Sequence, residues 1–180
     1  MITIRPARID DAAAIAAIYA PFVAETVISF ETEAPTRDQM AARMRGASGH
    51  YPWLVAEGGD GRVVGYAYGT KFRERAAYRF TVETTVYVAP DVQRQGIGRS
   101  LYDALFEILI GQGFTQAIAA ITLPNEASVA LHEAVGFETA GVYRTVGYKF
   151  GGWHSVGIWQ RVLGPSLTQP EEPRPIEPMT

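Results

Sequence analysis

The sequence predicts a single domain of the α/β or α+β class, in which helices flank one central sheet of about seven strands. Strand-like and helix-like segments alternate along the chain, as in domains that pack helices against a sheet. The chain has 180 residues, of which 47% are hydrophobic and 19% charged, which is typical of one globular domain with a sizeable core. We expect the folded domain at residues 1–163, and a disordered tail at the proline-rich residues 164–180.

The first quarter of the chain predicts one strand and two helices. Residues 2–5 form a short strand, and the aspartates at 10–11 offer N-cap chemistry for the helix that follows. Apolar residues at helical spacing indicate that this helix buries one face, formed by Ile15, Ile18, Tyr19 and Phe22. Pro21 lies within that pattern and is expected to kink or end the helix. A capping-box pattern at residues 36–39 predicts a second helix that runs through Met44.

The rest of the domain predicts six further strands and two further helices. The strands are rich in β-branched and aromatic residues and are expected at 53–57, 63–70, 79–88, 116–122, 137–148 and 153–162. The glycine-rich stretch 58–61 predicts a hairpin turn between the first two of them. A long amphipathic helix after Pro90 is expected to stop at Gly111 and Gly113, and a shorter helix is expected over 125–135.

The composition excludes several classes of function. The chain contains no cysteine, so it has no disulfide, thiolate nucleophile or cysteine metal ligand. The formal net charge of −3 does not indicate a nucleic-acid-binding protein, and the 3 histidines form no metal-ligand motif, so no metal is expected. Residues 1–6 lack a signal peptide's apolar stretch, and no apolar run reaches membrane-spanning length. We therefore expect a cytoplasmic protein with no nucleic-acid or membrane partner.

Residues 86–100 carry the strongest functional pattern, in which a strand enters, a glycine-bearing loop turns and a helix leaves. Gly96 and Gly98 have no side chains, so the backbone can approach a ligand closely. The first amides of the helix have no partners within it, and together with the helix dipole they favour an anion. Arg94 and Arg99 add positive charge beside that position. These features predict a pyrophosphate cradle.

Two common phosphate-binding motifs do not match this loop. No lysine follows the glycines as a P-loop requires, and Leu101 occupies the place of the third glycine of a dinucleotide fingerprint. The pattern Gln93-x-x-Gly96-x-Gly98 at a strand-to-helix junction resembles the acetyl-coenzyme A loop of the GCN5-related (GNAT) N-acetyltransferases. Taken alone, the loop is also consistent with an ordinary helix start that carries chance glycines.

A second stretch agrees with the resemblance. The family commonly carries Asn-x-x-Ser-x-x-x-Tyr-x-x-x-Gly-Phe on its next helix, and this chain has Asn125, Ser128, His132, Gly136 and Phe137 at the same spacing. His132 therefore stands where the family often has tyrosine. The match implies that the Asn125 side chain bonds the pantetheine arm or a phosphate of acetyl-CoA.

A narrower resemblance is to the phosphinothricin and methionine sulfoximine acetyltransferases. It is carried by residues 78–88, 131–137 and 147–157, and extends from about the first strand to Leu163. It implies a twisted mixed sheet of the acyl-CoA N-acyltransferase type, a homodimer, and a backbone amide near Tyr87 or the next residue that holds the thioester oxygen. The residues it implies for acetyl-CoA binding are Val86, Tyr87, Val88, Gln93, Arg94, Gln95, Gly96, Ile97, Gly98, Arg99, Ser100, Asn125 and Ser128.

Acetyl transfer to nitrogen needs a neutral amine, so a base is useful at neutral pH. Glu83 matches the glutamate that the resembling family uses, and its apolar neighbours would raise the pKa of its carboxyl group. Without the resemblance, the favoured interpretation of Glu83 is an exposed strand residue or an ion-pair partner of Arg79, since most glutamates in strands are exposed. His132 is the second candidate acid–base group and would protonate the leaving thiolate, whereas a core-lining histidine is the alternative.

The acidic group of the acceptor needs a cationic partner. Arg73, in preference to Arg75, lies on the approach to the Glu83 strand and is a candidate clamp, although a solvated charged turn is the alternative. Lys149 matches a position that the family keeps, for either a substrate or a dimer contact. The full set of predicted substrate-binding residues is Phe30, Phe72, Arg73, Arg75, Tyr78, Glu83, Thr84, Thr85 and Lys149.

The sequence thus favours an N-acetyltransferase that moves the acetyl group of acetyl-CoA to a small amino-acid analogue. Phosphinothricin, methionine sulfoximine and methionine sulfone are the expected acceptors, with direct attack in a ternary complex. A second hypothesis keeps the co-substrate but takes polyamine, peptide or protein amines as acceptors. A third is a non-catalytic acyl-CoA-binding module, against which Glu83 and His132 argue together.

Overall fold

Residues 2–180, which the computed structural model describes, form a 7-stranded sheet and four α-helices. The strands are β1 (Thr3–Pro6), β2 (Trp53–Glu57), β3 (Val63–Lys71), β4 (Thr81–Val88), β5 (Gln116–Leu123), β6 (Glu138–Lys149) and β7 (Gly152–Val162). The helices are α1 (Ala12–Glu25), α2 (Arg37–Ala47), α3 (Ile97–Gln112) and α4 (Glu126–Ala134). The predicted fold class is confirmed, and the predicted elements lie within a few residues of their observed bounds.

Local sequence signals set most helix ends. The Gln39 amide donates to the Thr36 hydroxyl oxygen at 3.3 Å, and the Thr36 amide donates to the Gln39 side chain at 2.8 Å, which confirms the predicted capping box. The expected glycine stop of α3 is confirmed at Gly113, which caps the helix with φ of 98°, whereas Pro21 does not end α1, which continues to Glu25. Proline removes one intrahelical hydrogen bond, whereas the buried apolar face of α1 stabilises the whole helix.

The order of strands in the sheet is β1-β2-β3-β4-β5-β7-β6, and β4 and β5 are its one parallel pair within the described chain. β4 pairs with β3 as far as Val88, and β5 pairs with β7 as far as Leu123. In contrast, β4 and β5 pair with each other only over residues 81–83. The two strands therefore diverge after Glu83, and this opening is called the fork below.

Helices cover both faces of the sheet. α1 and α2 pack on one face with Trp53, Val55 and Tyr66, while α3 packs on the other with apolar residues that include Val82. Side chains alternate between the faces of a strand, so Val82 and Thr84 face α3. Glu83 consequently projects from the face that carries α1 and α2.

Residues 164–180 contain no helix or strand. They nevertheless run along the domain, and the amides of Arg174 and Ile176 donate to the carbonyls of Gln112 and Gly49. Disorder of this tail in solution stays a prediction, and these bonds argue against it. No helix within residues 2–180 has the length and apolar character needed to cross a membrane.

Candidate active site

The fork leaves backbone amides of β4 without partners in β5. The Ala89 amide donates to the Val64 carbonyl in β3 at 2.9 Å, and successive amides along a strand point to opposite edges. The Val86 and Val88 amides therefore point into the fork, and the Tyr87 amide points to β3. Of the two positions expected to hold the thioester oxygen, Val88 has the required direction.

A small cavity of about 60 Å³ lies at the fork. Its polar lining includes Thr84, Asn125, Ser128 and His132, all selected from the sequence, together with Tyr102 of α3. Thr84 is 3% exposed, and its hydroxyl donates to the Ile118 carbonyl at 3.4 Å. The cavity thus brings residues from β4, α3 and α4 to the place where the strands separate.

Both ring nitrogens of His132 make hydrogen bonds inside the domain. Its Nδ1 lies 2.7 Å from the Ser128 carbonyl oxygen, which can only accept, so Nδ1 carries a proton. Burial lowers the pKa of His132, which favours the neutral ring. Its Nε2 then accepts from the Tyr102 hydroxyl at 2.8 Å. In this state Nε2 has no proton to donate, so direct protonation of a thiolate by His132 stays a prediction.

Tyr102 is a site residue that the sequence interpretation missed. It is fully buried, and burial raises the pKa of its hydroxyl above the ordinary tyrosine range. Because a buried tyrosine hydroxyl needs a partner, a tyrosine on the apolar face of α3 was a usable signal. That partner, His132, lies on another helix, and spacing along the chain does not reveal it.

The predicted glycine-bearing loop and helix start are present at α3, and the binding of a pyrophosphate there stays a prediction. The first hydrogen bond of this helix joins the Ser100 amide to the Gly96 carbonyl at 3.0 Å, so the amides of residues 97–99 have no partner within the helix. Gly96 and Arg94 have left-handed backbones, with φ of 77° and 63°. The Gln93 side chain donates back to the Val88 carbonyl at 3.5 Å and closes the loop. Arg94 and Gln95 of the loop and Arg99 in the first turn of α3 are exposed.

A side chain at Gly98 would crowd the gap between α3 and α4. A Cβ there would lie 3.0 Å from a methyl group of Leu131 on α4 and 3.7 Å from one of Val88. Asn125 begins α4, and its side-chain oxygen accepts from the Ser128 amide at 3.1 Å. The bare backbone of the loop and the unpaired amides of α3 therefore fit the diphosphate of an acyl-CoA.

Glu83 lies half-buried at the base of the fork. Desolvation raises the pKa of its carboxyl group, and the positive charge of Arg73 opposes that rise. A carboxyl group with a raised pKa is better matched to proton transfer from an amine than an exposed one. The structure therefore gives Glu83 the environment that the sequence predicted.

Arg73 lies in an aromatic cluster at the end of β3. Its guanidinium lies 4.9 Å from the Phe72 ring centroid and 5.9 Å from that of Tyr78, and these two rings are 5.6 Å apart. The Arg75 carbonyl accepts from the Tyr78 amide at 3.0 Å, which begins a short 3-10 turn. We call residues 72–79 the acceptor loop. The predicted Phe72, Arg73 and Tyr78 come together there.

A larger cavity of about 460 Å³ lies on the same face of the sheet as Glu83. Thr70, which pairs with Glu83 in the sheet, lines it, as do Lys71 at the end of β3 and Glu74 in the acceptor loop. Tyr51 and Ala47, at and just after the end of α2, also line it. Thr85 projects on this face near Tyr68, whose pKa burial raises.

Two predicted substrate residues lie elsewhere, near the β6–β7 hairpin. Phe30 packs against Gly147, and its ring centroid is 6.3 Å from that of His154. Lys149 is 6% exposed, and its ammonium donates to the carbonyls of Val23 and Ser29 at 2.6 and 2.7 Å. Lys149 therefore secures the loop after α1, and a direct substrate contact by it stays a prediction.

The Tyr87 ring packs on the α1 side, 5.0 Å from the ring centroids of both Tyr19 and Phe22. Only its backbone therefore belongs to the fork. Within residues 2–180, no three histidine, cysteine, aspartate or glutamate side chains are placed to hold a metal ion.

Comparison with known proteins agrees with this geometry. Residues 4–156 match the acetyltransferase (GNAT) domain family. The chain is 42% identical over 179 residues to a phosphinothricin N-acetyltransferase of Streptomyces viridochromogenes, which covers 99% of this chain and 95% of that protein. It is 37% identical over 169 residues to an L-methionine sulfoximine/L-methionine sulfone acetyltransferase of Pseudomonas paraeruginosa, covering 93% and 98% of the two chains.

A solved structure is similarly close. The phosphinothricin acetyltransferase of Sinorhizobium meliloti, in complex with AcCoA, superposes with a TM-score of 0.89 at 38% identity, covering 95% of this chain and 94% of that one. With a forked β4–β5 pair, an anion cradle at α3 and a family match over most of its length, the chain belongs to the GNAT family of acetyltransferases.

Proposed function

We propose that this protein acetylates the amino group of a small amino-acid analogue of the phosphinothricin and methionine sulfoximine type, with acetyl-CoA as co-substrate. The observation that carries the proposal is the fork, because Glu83 with its raised pKa, the Val88 amide and the cradle of α3 follow one another along β4 and into the helix after it. The names of the close relatives support the acceptor class.

The acceptor nitrogen forms a bond to the acetyl carbon while the carbon–sulfur bond breaks, and coenzyme A leaves as its thiolate. Acetyl-CoA, when bound, supplies the acetyl thioester. The amides of residues 97–99 hold the diphosphate, and the Val88 amide donates to the oxygen that gains negative charge. Glu83 takes the proton that the acceptor amine must lose, and Arg73 binds the acidic group of the acceptor.

Polyamine, peptide and protein amines remain the second hypothesis. The acceptor loop carries Arg73 and Arg75, which repel a polycation, so this hypothesis is the weaker one for small amines. A non-catalytic acyl-CoA-binding module would have no use for a half-buried carboxyl group with a raised pKa at the fork. A cytoplasmic location and the absence of nucleic-acid partners stay predictions from the sequence.

A thiol-release assay tests the function. We expect purified protein with acetyl-CoA to release free thiol fastest with phosphinothricin, methionine sulfoximine or methionine sulfone, and far more slowly with ordinary amino acids or spermidine. Turnover of spermidine alone would support an acetyltransferase but contradict the acceptor clamp proposed at Arg73. No turnover with any acceptor, despite acetyl-CoA binding, would favour the non-catalytic module.

We also propose that the protein forms a homodimer through β6 and β7. The outer edge of β6 ends the sheet, and apolar side chains along the hairpin are exposed, among them Tyr143, Val146, Tyr148, Phe150 and Trp153. Phe150 is 62% exposed and adopts a left-handed backbone with φ of 49°, where glycine or asparagine is favoured. An aromatic side chain that is exposed and has a strained backbone conformation is consistent with burial against a second copy of the chain.

The association state tests this surface. We expect the wild-type chain to sediment as a dimer and Phe150→Asp with Trp153→Asp to sediment as a folded monomer, because two charges would be buried without partners. Ile110→Asp is the control, since Ile110 is an isolated exposed residue on α3. A wild-type monomer, or a dimer that survives the double substitution, would contradict the proposed interface.

A further inference from the structure

The C-terminal tail makes an ordered series of backbone hydrogen bonds with the domain. The amides of Arg174, Ile176 and Met179 donate to the Gln112 carbonyl at 2.7 Å, the Gly49 carbonyl at 3.1 Å and the Ser48 hydroxyl at 2.8 Å. The carbonyl of the last residue, Thr180, accepts from the Ile9 amide at 2.9 Å. These bonds attach the tail at three separate parts of the domain.

The prolines of the tail fall where no donor is needed. Pro173, Pro175 and Pro178 have no amide hydrogen, and they alternate with the residues that donate. Half-buried side chains recur at every third position, at Pro173, Ile176 and Met179, which is the period of a polyproline II helix. Because proline restricts the free chain, such a segment loses less entropy when it docks.

A buried amide anchors the middle of the tail. Gln112 is 4% exposed, and its side-chain nitrogen donates to the carbonyls of Arg174 and His50, both at 2.9 Å. Gln112 and Arg174 thus exchange two hydrogen bonds. The same side chain connects the tail to the corner after α2, residues 48–50, which leads into the cavity-lining Tyr51.

The other end of the tail reaches the acceptor loop. The Arg79 Nε donates to both carboxylate oxygens of Glu172, at 2.9 and 2.8 Å. A terminal nitrogen of Arg79 also donates to the Ala76 carbonyl at 3.2 Å, which fastens the turn that carries Tyr78. This ion pair is exposed and weak by itself, so its effect depends on the docked backbone beside it.

We propose that residues 171–180 form a strap that positions the acceptor side of the site. The strap does not line the 460 Å³ cavity itself, but it holds the 48–50 corner, which precedes the cavity-lining Tyr51, and the acceptor loop, which carries the cavity-lining Glu74. This inference rests on the proposed function for its substrate effect. The docking itself does not depend on that function.

Amide exchange on the intact chain tests the docking. We expect the amides of Arg174, Ile176 and Met179 to exchange at least about tenfold more slowly than those of the neighbouring Glu171 and Glu177, which donate no bond in the tail's series. Uniform fast exchange from Glu171 to Thr180 would overturn the strap.

Paired variants test the positioning. Ile176→Asp with Met179→Asp removes the inward contacts, whereas Arg174→Ala with Glu177→Ala changes only outward side chains and is the matched control. We expect the first pair to raise the KM for the acceptor by about three- to tenfold with the KM for acetyl-CoA unchanged, and the control to alter neither. An unchanged acceptor KM, or an equal rise in both constants, would overturn positioning by the strap.

A covalent lock gives the reverse test. The chain has no cysteine, so Ser48→Cys with Met179→Cys introduces a single thiol pair at the tail contact. Oxidation is expected to join the two cysteines in a disulfide. The disulfide should preserve the wild-type KM for the acceptor even when Ile176→Asp is added. Failure of the disulfide to form would contradict the docked tail. If the wild-type chain acetylates no acceptor, the proposed function fails, while exchange and cross-linking still decide the docking.

Discussion

Replacing Glu83 with glutamine is expected to lower kcat/KM for the acceptor by about 10²- to 10⁴-fold, the range lost when a general base is removed. Glutamine keeps the size of the side chain and its place at the base of the fork, but it cannot take a proton from the amine. Acetyl-CoA binding should be unchanged, because the cradle amides belong to α3. Steady-state kinetics with both substrates varied would measure the two effects separately.

The matched control is Glu107→Gln, which removes an exposed carboxylate from α3. It should retain wild-type kinetics. Wild-type turnover in Glu83→Gln would show that Glu83 is not the base, and a parallel loss of acetyl-CoA binding would point to a structural role.

The pH dependence of the wild-type enzyme follows from the same carboxyl group. Burial raises the pKa of Glu83, so its protonated, inactive form persists to higher pH than for an ordinary glutamate, whose pKa is about 4.3. Activity should therefore rise with pH through the raised pKa, and Glu83→Gln should lack that acidic limb. A limb at the ordinary glutamate value would contradict a desolvated base.

The sequence predicted those parts of the protein that depend on neighbours along the chain. The Thr36 capping box, the cradle at Gly96 and Gly98, and the strand that carries Glu83 all follow from local spacing. The helix end considered at Pro21 also rested on local propensity, and burial of the apolar face of α1 overrode it.

Contacts between distant residues escaped prediction. Tyr102 and His132 are 30 positions apart, and only the packing of α3 beside α4 brings them to 2.8 Å. Lys149 reaches the carbonyl of Val23 across 126 positions, a contact that its place in the sequence does not indicate. The direction of the Val88 amide likewise required the register of β4, which no periodicity in the sequence supplies.

The clamp assigned to Arg73 has two measurable consequences. Arg73→Gln should raise the KM for phosphinothricin by about ten- to a hundredfold, since hydrogen bonds to a charged group are worth about 1.5–3 kcal/mol. It should also move the acidic limb of the pH profile upward, because the positive charge of Arg73 holds down the pKa of Glu83. Kinetics over a range of pH would measure both effects in one series.

An acceptor whose acidic groups are blocked separates binding from folding effects. If Arg73 binds the acidic group, wild type should lose affinity for the blocked acceptor, and Arg73→Gln should lose nothing further. Arg75→Gln is the matched comparison, since Arg75 is exposed on the same loop and does not contribute to the pKa of Glu83. A larger KM effect from Arg75→Gln than from Arg73→Gln would assign the clamp to Arg75. If Arg73→Gln shifts the acidic limb of the pH profile but does not change the KM, Arg73 affects only the pKa of Glu83 and does not bind the acceptor.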